Sequence, residues 1–131
     1  MNVIALTYDQ YMKNQSLLRT WLSKAVDKGD IQLAEVEYSI RDGERLPVVL
    51  LDVNMPIGLM VLELTDDAVH ITALAGDFPA KWRSTIYDVC AGLAKEHGKD
   101  KLQCRGRRGW HRVLKEFNAT GVDDTVTVEI V

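Results

Sequence analysis

Three runs of strand-forming residues follow one another in the middle of the chain, and only short turn segments separate them. The runs cover residues 46–53, 57–65 and 68–75 and are rich in valine, leucine and isoleucine. Residues 54–56 and the pair Asp66-Asp67 are typical of tight turns. Because strands joined by short turns run side by side in opposite directions, the sequence predicts an antiparallel three-stranded meander.

Two helices are predicted before this meander. Over residues 8–28 apolar side chains recur at steps of three and four, and Thr7 is a plausible N-cap. A second helix is predicted over residues 31–42, with Asp30 as its N-cap and Gly43 just past its end. This second segment also fits a strand, because its apolar residues alternate and Asp-Gly is a good hairpin turn. The capped start and the glycine stop favour the helix.

A third helix is predicted after the meander, starting in the segment Gly76-Asp77-Phe78-Pro79 and closed by Gly98. Asp77 is a candidate N-cap, and proline is tolerated in the first turn because its missing N–H is not needed there. Five residues at helical spacing form one face of this helix: Trp82, Ile86, Cys90, Leu93 and His97.

The last third of the chain predicts a strand, a helix and a strand. Residues 101–105 alternate as a half-buried strand does, with Leu102 and Cys104 facing inward. A short helix over residues 110–118 and a strand over residues 125–131 follow. A meander followed by a strand–helix–strand unit predicts a mixed sheet with helices on both faces.

The composition is that of a globular protein. The chain has 131 residues, is 47% hydrophobic and 27% charged, and carries a net charge of −3. We therefore expect one domain over residues 1–131 and exclude intrinsic disorder. No apolar run approaches the roughly 20 residues of a membrane span, and no signal peptide is visible at the start. Two cysteines without a C-x-x-C motif argue against a disulfide framework and a metal site.

The order α-α-β-β-β-α-β-α-β, with a possible extra strand at residues 2–6, resembles the fold of GNAT-type N-acyltransferases. A sharper resemblance lies in residues 106–114, which read Gly-Arg-Arg-Gly-Trp-His-Arg-Val-Leu. This run is similar to a motif of small GNAT-like proteins encoded by tailed bacteriophages and prophages. The resemblance implies an α/β fold with a mixed, mostly antiparallel sheet flanked by helices, in a protein of the host cytoplasm or the virion.

GNAT enzymes bind the pyrophosphate of acetyl-CoA with a glycine-rich turn after the fourth strand, whose backbone N–H groups point at the phosphates. The matching turn here has one glycine, Gly76. Asp77 places a carboxylate in it, and Pro79 removes a backbone donor. The sequence therefore predicts a degenerate acyl-CoA site, in which Gly76, Lys81 and Arg83 are the candidate cofactor-binding residues.

The candidate catalytic residues lie on the predicted central strands. GNAT enzymes commonly use a tyrosine acid on the last helix, but the nearest position here holds Phe117, which has no proton to give. Glu63, His70 and Thr72 are candidates for a base or a water-positioning residue. The alternative is that all three are simply exposed positions of alternating strands.

Positive charge is concentrated in residues 99–115, which carry +6 in a chain of net charge −3. The candidate partner-binding residues in this segment are Arg105, Arg107, Arg108, Trp110 and Arg112. Arginine suits bidentate contact with phosphates or carboxylates. The segment could bind nucleic acid, the 3′-phosphate of coenzyme A or an acidic surface of another subunit, or it could pair with acids of its own chain such as Asp123 and Asp124.

These observations favour a GNAT-like bacteriophage protein that acts mainly by binding, as a component of the virion or of its assembly. Its expected partners are other virion proteins or further copies of itself, with nucleic acid as a possibility and no membrane. On this interpretation no cofactor and no metal are expected. The alternative is an active N-acetyltransferase that uses acetyl-CoA.

Overall fold

The structure is a computed structural model, and its described residues are 2–26, 32–76, 83–105, 120–122 and 125–130. The chain divides into two compact units. Unit 1 consists of Met1–Glu63 and Thr72–Phe78, and unit 2 consists of Leu64–Ile71 and Pro79–Val131. The prediction of one domain over residues 1–131 stays a prediction.

The described residues form one mixed sheet with helices, which confirms the predicted fold class. In chain order the elements are β1 (Asn2–Ala5), α1 (Tyr8–Lys13), α2 (Gln15–Val26), α3 (Leu33–Arg41), β2 (Leu46–Asp52), β3 (Met55–Leu64), β4 (Ala68–Gly76), α4 (Arg83–Glu96), β5 (Lys101–Arg105), β6 (Thr120–Val122) and β7 (Thr125–Glu129).

The strand order is β1-β2-β3-β4-β5-β7-β6. The β4–β5 pair is parallel, whereas the β1–β2, β2–β3, β5–β7 and β6–β7 pairs are antiparallel. The possible N-terminal strand exists as β1. The short strand β6 was not predicted, and the helix predicted over residues 110–118 lies outside the described residues.

The single helix predicted over residues 8–28 is wrong, because the chain leaves the helix at Asn14 and forms α1 and α2. Asn14 has φ −112° and ψ 20°, and its side-chain amide donates to the carbonyl oxygen of Gln10. An asparagine side chain competes in this way for backbone groups and interrupts helices. The predicted N-cap is confirmed, since Thr7 and Gln10 form a reciprocal capping box.

The second predicted segment is the helix α3, so the alternative strand is excluded. The helix begins at Leu33, and its N-cap Gln32 makes no side-chain capping bond, while the predicted cap Asp30 lies outside the described residues. Gly43 has φ 79°, as expected for the left-handed residue that follows a helix.

The β2–β3 connection differs from the predicted turn over residues 54–56. The chain turns at Val53-Asn54, whose φ values of 47° and 66° are those of a type I′ hairpin turn. Strand β3 therefore begins at Met55 and contains Pro56. The proline is tolerated there because it lies beside a register shift in the β2–β3 pair, where the regular ladder is interrupted.

Unit 1 has a hydrophobic core between its three helices and strands β2, β3 and β4. The core residues are Tyr11, Leu18, Leu22, Ala25, Val26, Val36, Ile40, Val49, Leu59, Val61 and Ala73. Burying each large side chain of this kind stabilises the fold by about 1.5–3 kcal/mol. Most of the apolar residues that recur along α1 and α2 enter this core, whereas Met12, which is part of the predicted apolar face, is exposed.

In unit 2, helix α4 packs against β5. Its buried residues are Ile86, Cys90, Ala91 and Ala94, and the inward residues Leu102 and Cys104 of β5 are fully buried, as predicted. The prediction that His97 continues the apolar face is wrong. The helix ends at Glu96, so His97 lies in the following turn and is exposed. Trp82 lies outside the described residues.

Among the described residues, no helix combines the length and the apolar character that crossing a bilayer requires.

Candidate functional site

Strand β4 ends at a glycine that no other residue could replace without a shift of the backbone. Gly76 has φ 137°, in the region that L-residues rarely adopt. A Cβ at this position would overlap the carbonyl oxygen of Ile57 and the Cα of Gly58. In unit 1 the end of β4 therefore lies directly against the backbone of β3, and Gly76 itself is exposed.

A buried hydroxyl lies four residues before this glycine. Thr72 Oγ1 is shielded from solvent and has no hydrogen-bond partner among the described residues. Because burying a hydroxyl without a partner costs about 1–3 kcal/mol, such a group is a candidate for contact with a ligand.

The candidate base Glu63 is paired in unit 1. Its Oε2 lies 3.4 Å from Nη2 of Arg45, and Nη1 of the same arginine donates to Ser39 Oγ at 3.0 Å. Ser39 is buried and itself donates to the carbonyl oxygen of Val36 at 2.6 Å. This arrangement joins α3 to the end of β3, so the carboxylate of Glu63 has a structural partner.

The candidate His70 lies in unit 2, in a row of polar residues. The strand register places His70 beside Gln103, and Gln103 beside Thr127, and all three are half-buried. The adjacent row of Val69, Leu102 and Val128 is fully buried. One face of this part of the sheet is thus apolar and the other presents an imidazole, an amide and a hydroxyl.

A polar group that the sequence did not reveal lies among the helices of unit 1. The hydroxyl of the fully buried Tyr11 donates to Glu37 Oε2 at 2.8 Å, and Arg19 Nε lies 3.4 Å from Glu37 Oε1. Burial, followed by the hydrogen bond to Glu37, raises the pKa of Tyr11, so its hydroxyl keeps its proton. In the sequence Tyr11 is only one of the apolar residues that recur over residues 8–28, although a buried tyrosine hydroxyl requires a partner.

The two cysteines are buried thiols of unit 2, as predicted. Burial raises the pKa of Cys90 to about 12 and that of Cys104 well above its usual range. Neither thiol therefore has the thiolate character of a nucleophile. Within the described ranges, no three metal-binding side chains lie together.

Comparison with solved structures finds a similar architecture in many proteins, including the following three. A probable acetyltransferase from Staphylococcus epidermidis ATCC 12228 matches with a TM-score of 0.74 and 5% identity, over 99% of each chain. A GNAT family acetyltransferase from Elizabethkingia anophelis, with acetyl-CoA bound, matches with a TM-score of 0.68 and 14% identity, over 98% of each chain. A chain of the AtaT-AtaR complex bound to DNA matches with a TM-score of 0.69 and 14% identity, over 99% of this chain and 95% of that chain.

The chain has a GNAT-like fold. No family model and no curated protein matches the sequence. The likeness to GNAT acetyltransferases therefore lies in the arrangement of helices and strands.

The predicted site residues stay predictions, and some of them lie among the described residues. Gly76 ends β4 and Arg83 begins α4, whereas Lys81, Asp77 and Pro79 lie outside the described residues. Of the predicted partner-binding residues, Arg105 is the last residue of β5. The other four lie outside the described residues: Arg107, Arg108, Trp110 and Arg112. Phe117, at the position nearest the catalytic tyrosine of GNAT enzymes, also lies outside them.

Proposed function

We propose that the chain is an N-acyltransferase that takes its acyl group from acetyl-CoA or a related thioester. The observation that carries this proposal is the end-to-end match to structures named acetyltransferases, one of which has acetyl-CoA bound. The fold alone does not specify chemistry. The proposal therefore also needs residues of this chain that fit the cofactor and the reaction.

The described residues near the end of β4 fit a coenzyme. Thr72 contributes a buried hydroxyl with no partner in the described part of the chain, and Gly76 leaves the exposed end of the strand free of a side chain. Arg83, in the first turn of α4 in unit 2, is a separate candidate for a phosphate contact, and it rests on the sequence prediction alone. When bound, acetyl-CoA would supply an activated acetyl thioester.

His70 is the candidate residue for proton transfer. A histidine imidazole is a common general base, and the acceptor amine must lose a proton during acylation. Gln103, its neighbour in register on β5, offers an amide that can orient a polar acceptor. Glu63 is the weaker candidate, because its carboxylate is already paired with Arg45.

Calorimetric titration with acetyl-CoA tests cofactor binding. We expect saturable binding that is competitive with coenzyme A and weakened on the order of tenfold by Arg83→Ala, since a charged hydrogen bond is worth about 1.5–3 kcal/mol. Lys95→Ala, in the last turn of the same helix, is the matched control and should leave the affinity unchanged. Absence of binding at millimolar acetyl-CoA would contradict the proposal.

Kinetics test His70 separately. His70→Gln should lower the acyl-transfer rate about 10²–10⁴-fold while acetyl-CoA still binds, as expected for loss of a general base. Glu63→Gln should have a smaller effect on the rate. An unchanged acyl-transfer rate in His70→Gln would show that His70 is not the general base. It would not affect the conclusion on acetyl-CoA binding.

A second candidate function is a binding role in a bacteriophage assembly, with a degenerate acyl-CoA site. It is supported in the sequence by Asp77 and Pro79 in the cofactor turn and by the motif at residues 106–114. The double substitution Arg107→Glu with Arg108→Glu should leave the fold intact and abolish incorporation into virions, measured by mass spectrometry of purified particles. Normal incorporation would count against this role.

Nucleic acid is a possible partner of residues 99–115, which carry the concentrated positive charge. One chain of similar fold belongs to a complex bound to DNA. Binding through phosphates would make DNA retention fall steeply with salt concentration, which a filter-binding titration measures. Retention that is independent of salt, or absent at low salt, would exclude this partner.

A further inference from the structure

The carboxylate of Glu37 lies in an unusual setting on α3. Its side chain is only 15% exposed, and the fully buried Tyr11 donates a 2.8 Å hydrogen bond to Oε2. The other oxygen, Oε1, lies 3.4 Å from Nε of Arg19. The fully buried hydroxyl thus orients the carboxylate, while its positively charged partner comes from the solvent side.

Arg19 is a weakly held partner. Its side chain is 52% exposed, and a 3.4 Å contact is longer than the 2.7–2.9 Å of a strong charged hydrogen bond. A carboxylate accepts up to about four hydrogen bonds. Glu37 therefore keeps acceptor capacity toward a second cation, and Arg19 can swing into solvent when such a cation binds.

The nearby arginine on α3 does not compete for this carboxylate. Arg41 lies one helical turn after Glu37, but its Nε contacts Asp42 Oδ1 at 3.0 Å. Its guanidinium also lies 5.0 Å from the centre of the Tyr38 ring. The charge of Arg41 is thus satisfied within its own stretch of chain.

The orienting tyrosine belongs to the same hydrophobic core as the last part of β4. Tyr11 and Ala73 are members of one buried cluster in unit 1, and Ala75 packs against it. Gly76, a candidate cofactor residue, follows directly. Glu37 is therefore held by a residue of the hydrophobic core that also contains part of the strand ending at Gly76.

We propose that Glu37 binds a positive charge on the acceptor, so that the substrates are diamines or polyamines that carry a second ammonium group besides the one acylated. This inference rests on the proposed acyltransferase function. Tyr11 acts as a positioning residue, and Arg19 occupies the site when no substrate is bound.

A matched pair of acceptors tests the proposal. Pentane-1,5-diamine and pentylamine have the same carbon chain and differ in the second ammonium group. We expect the diamine to have a KM about tenfold or more below that of pentylamine, and Glu37→Gln to remove this difference with kcat little changed. Glu35→Gln, an exposed residue of the same helix, is the control and should keep the difference.

Arg19→Ala provides the opposite change. Because it removes the competing guanidinium, it should lower the diamine KM and leave that of pentylamine unchanged. This variant alters an exposed side chain and so tests the site even if Glu37→Gln fails to fold. Equal KM values for the two amines in the unsubstituted protein, or a diamine preference that survives Glu37→Gln in a folded protein, would overturn the assignment.

Direct binding separates this inference from the proposed function. Calorimetric titration of the diamine without any thioester should show binding that Glu37→Gln weakens about tenfold or more. If acetyl-CoA does not bind but the diamine does, the acyltransferase proposal fails and the cation site stands. If acetyl-CoA binds and the diamine does not, the cation site fails alone.

Discussion

The two units treat their buried polar groups differently. Unit 1 places charged groups among its helices, where Glu37 is held by Tyr11 and Arg19. In unit 2 the packing of α4 on β5 is apolar, and its ion pair between Lys101 and Asp67 lies toward solvent, with the aspartate 60% exposed. A half-buried carboxylate needs compensation that an exposed one does not.

This difference indicates where function is to be sought. A surface ion pair contributes about 0–1 kcal/mol to the free energy of unfolding, so its presence alone does not indicate a function. A shielded carboxylate with a fully buried donor is a costly arrangement, and such arrangements cluster at functional sites. The contrast makes the helices of unit 1 the side of the molecule to test for substrate recognition.

The largest expected effect comes from one chemical change made in each unit. Gly76→Ala should destabilise the fold by about 2–4 kcal/mol, because the new Cβ would overlap the backbone of β3. Gly92→Ala, in α4, meets no neighbouring atom and should stabilise it by about 0.5–1 kcal/mol. Urea denaturation measures the change in the free energy of unfolding for both variants. If both substitutions stabilised the fold, or both destabilised it, the contrast between the two positions would be wrong.

Tyr11→Phe and Asp67→Asn compare the two kinds of polar contact. The first leaves Glu37 shielded without its donor and should destabilise the fold by about 1–3 kcal/mol. The second removes an exposed partner of Lys101 and should change stability by less than about 1 kcal/mol. Similar losses in thermal unfolding would show that the shielded contact is no stronger than the surface one.

The buried thiol of Cys90, in unit 2, predicts a loss of stability at alkaline pH. The pKa of Cys90 is raised by burial from 9.0 to about 12, so the folded state holds its proton longer than the unfolded state. The free energy of unfolding should therefore be fully present below pH 9 and fall as pH rises toward 12. Cys90→Ala should show a flatter decline over this range in urea titrations, and an unchanged slope would contradict the assignment.

A small stabilising effect is expected at the β2–β3 turn of unit 1. Val53 is β-branched and has φ 47°, whereas asparagine adopts this conformation more readily. Val53→Asn should stabilise the fold by about 1 kcal/mol, and Val53→Ile should change it little. Thermal unfolding distinguishes the two, and destabilisation by the asparagine would argue against strain at this residue.

Most of the secondary structure follows from the sequence, because the signals for helices and strands are local. Leu102 and Cys104 alternate with polar residues and are the inward residues of β5. The predicted element boundaries are wrong where one side chain hydrogen-bonds to the backbone, or where the register of two paired strands shifts. Asn14 interrupts a helix that the apolar pattern continues, and Pro56 enters a strand beside a register shift.

The candidate site stays a prediction, but the structure adds neighbours to two of its residues. Gly76 was singled out for its place in the predicted cofactor turn, and the structure adds that the backbone of β3 leaves no room for a Cβ there. His70 was found as a histidine on a central strand, but its neighbours Gln103 and Thr127 follow from pairing between distant strands. The order of the predicted strands does not give such neighbours, because they depend on the register in which the strands pair.

The sequence by itself determined the class of fold, since hydrophobic periodicity and turn residues act over a few positions and need no distant partner. Only the tertiary structure decided that Tyr11 and Glu37, 26 residues apart, share a hydrogen bond beneath the helices of unit 1. Side-chain pairing across such a separation depends on which helix faces meet. The helix faces that meet are determined when the chain buries its apolar surface, and the polar groups that become buried then need hydrogen-bond partners.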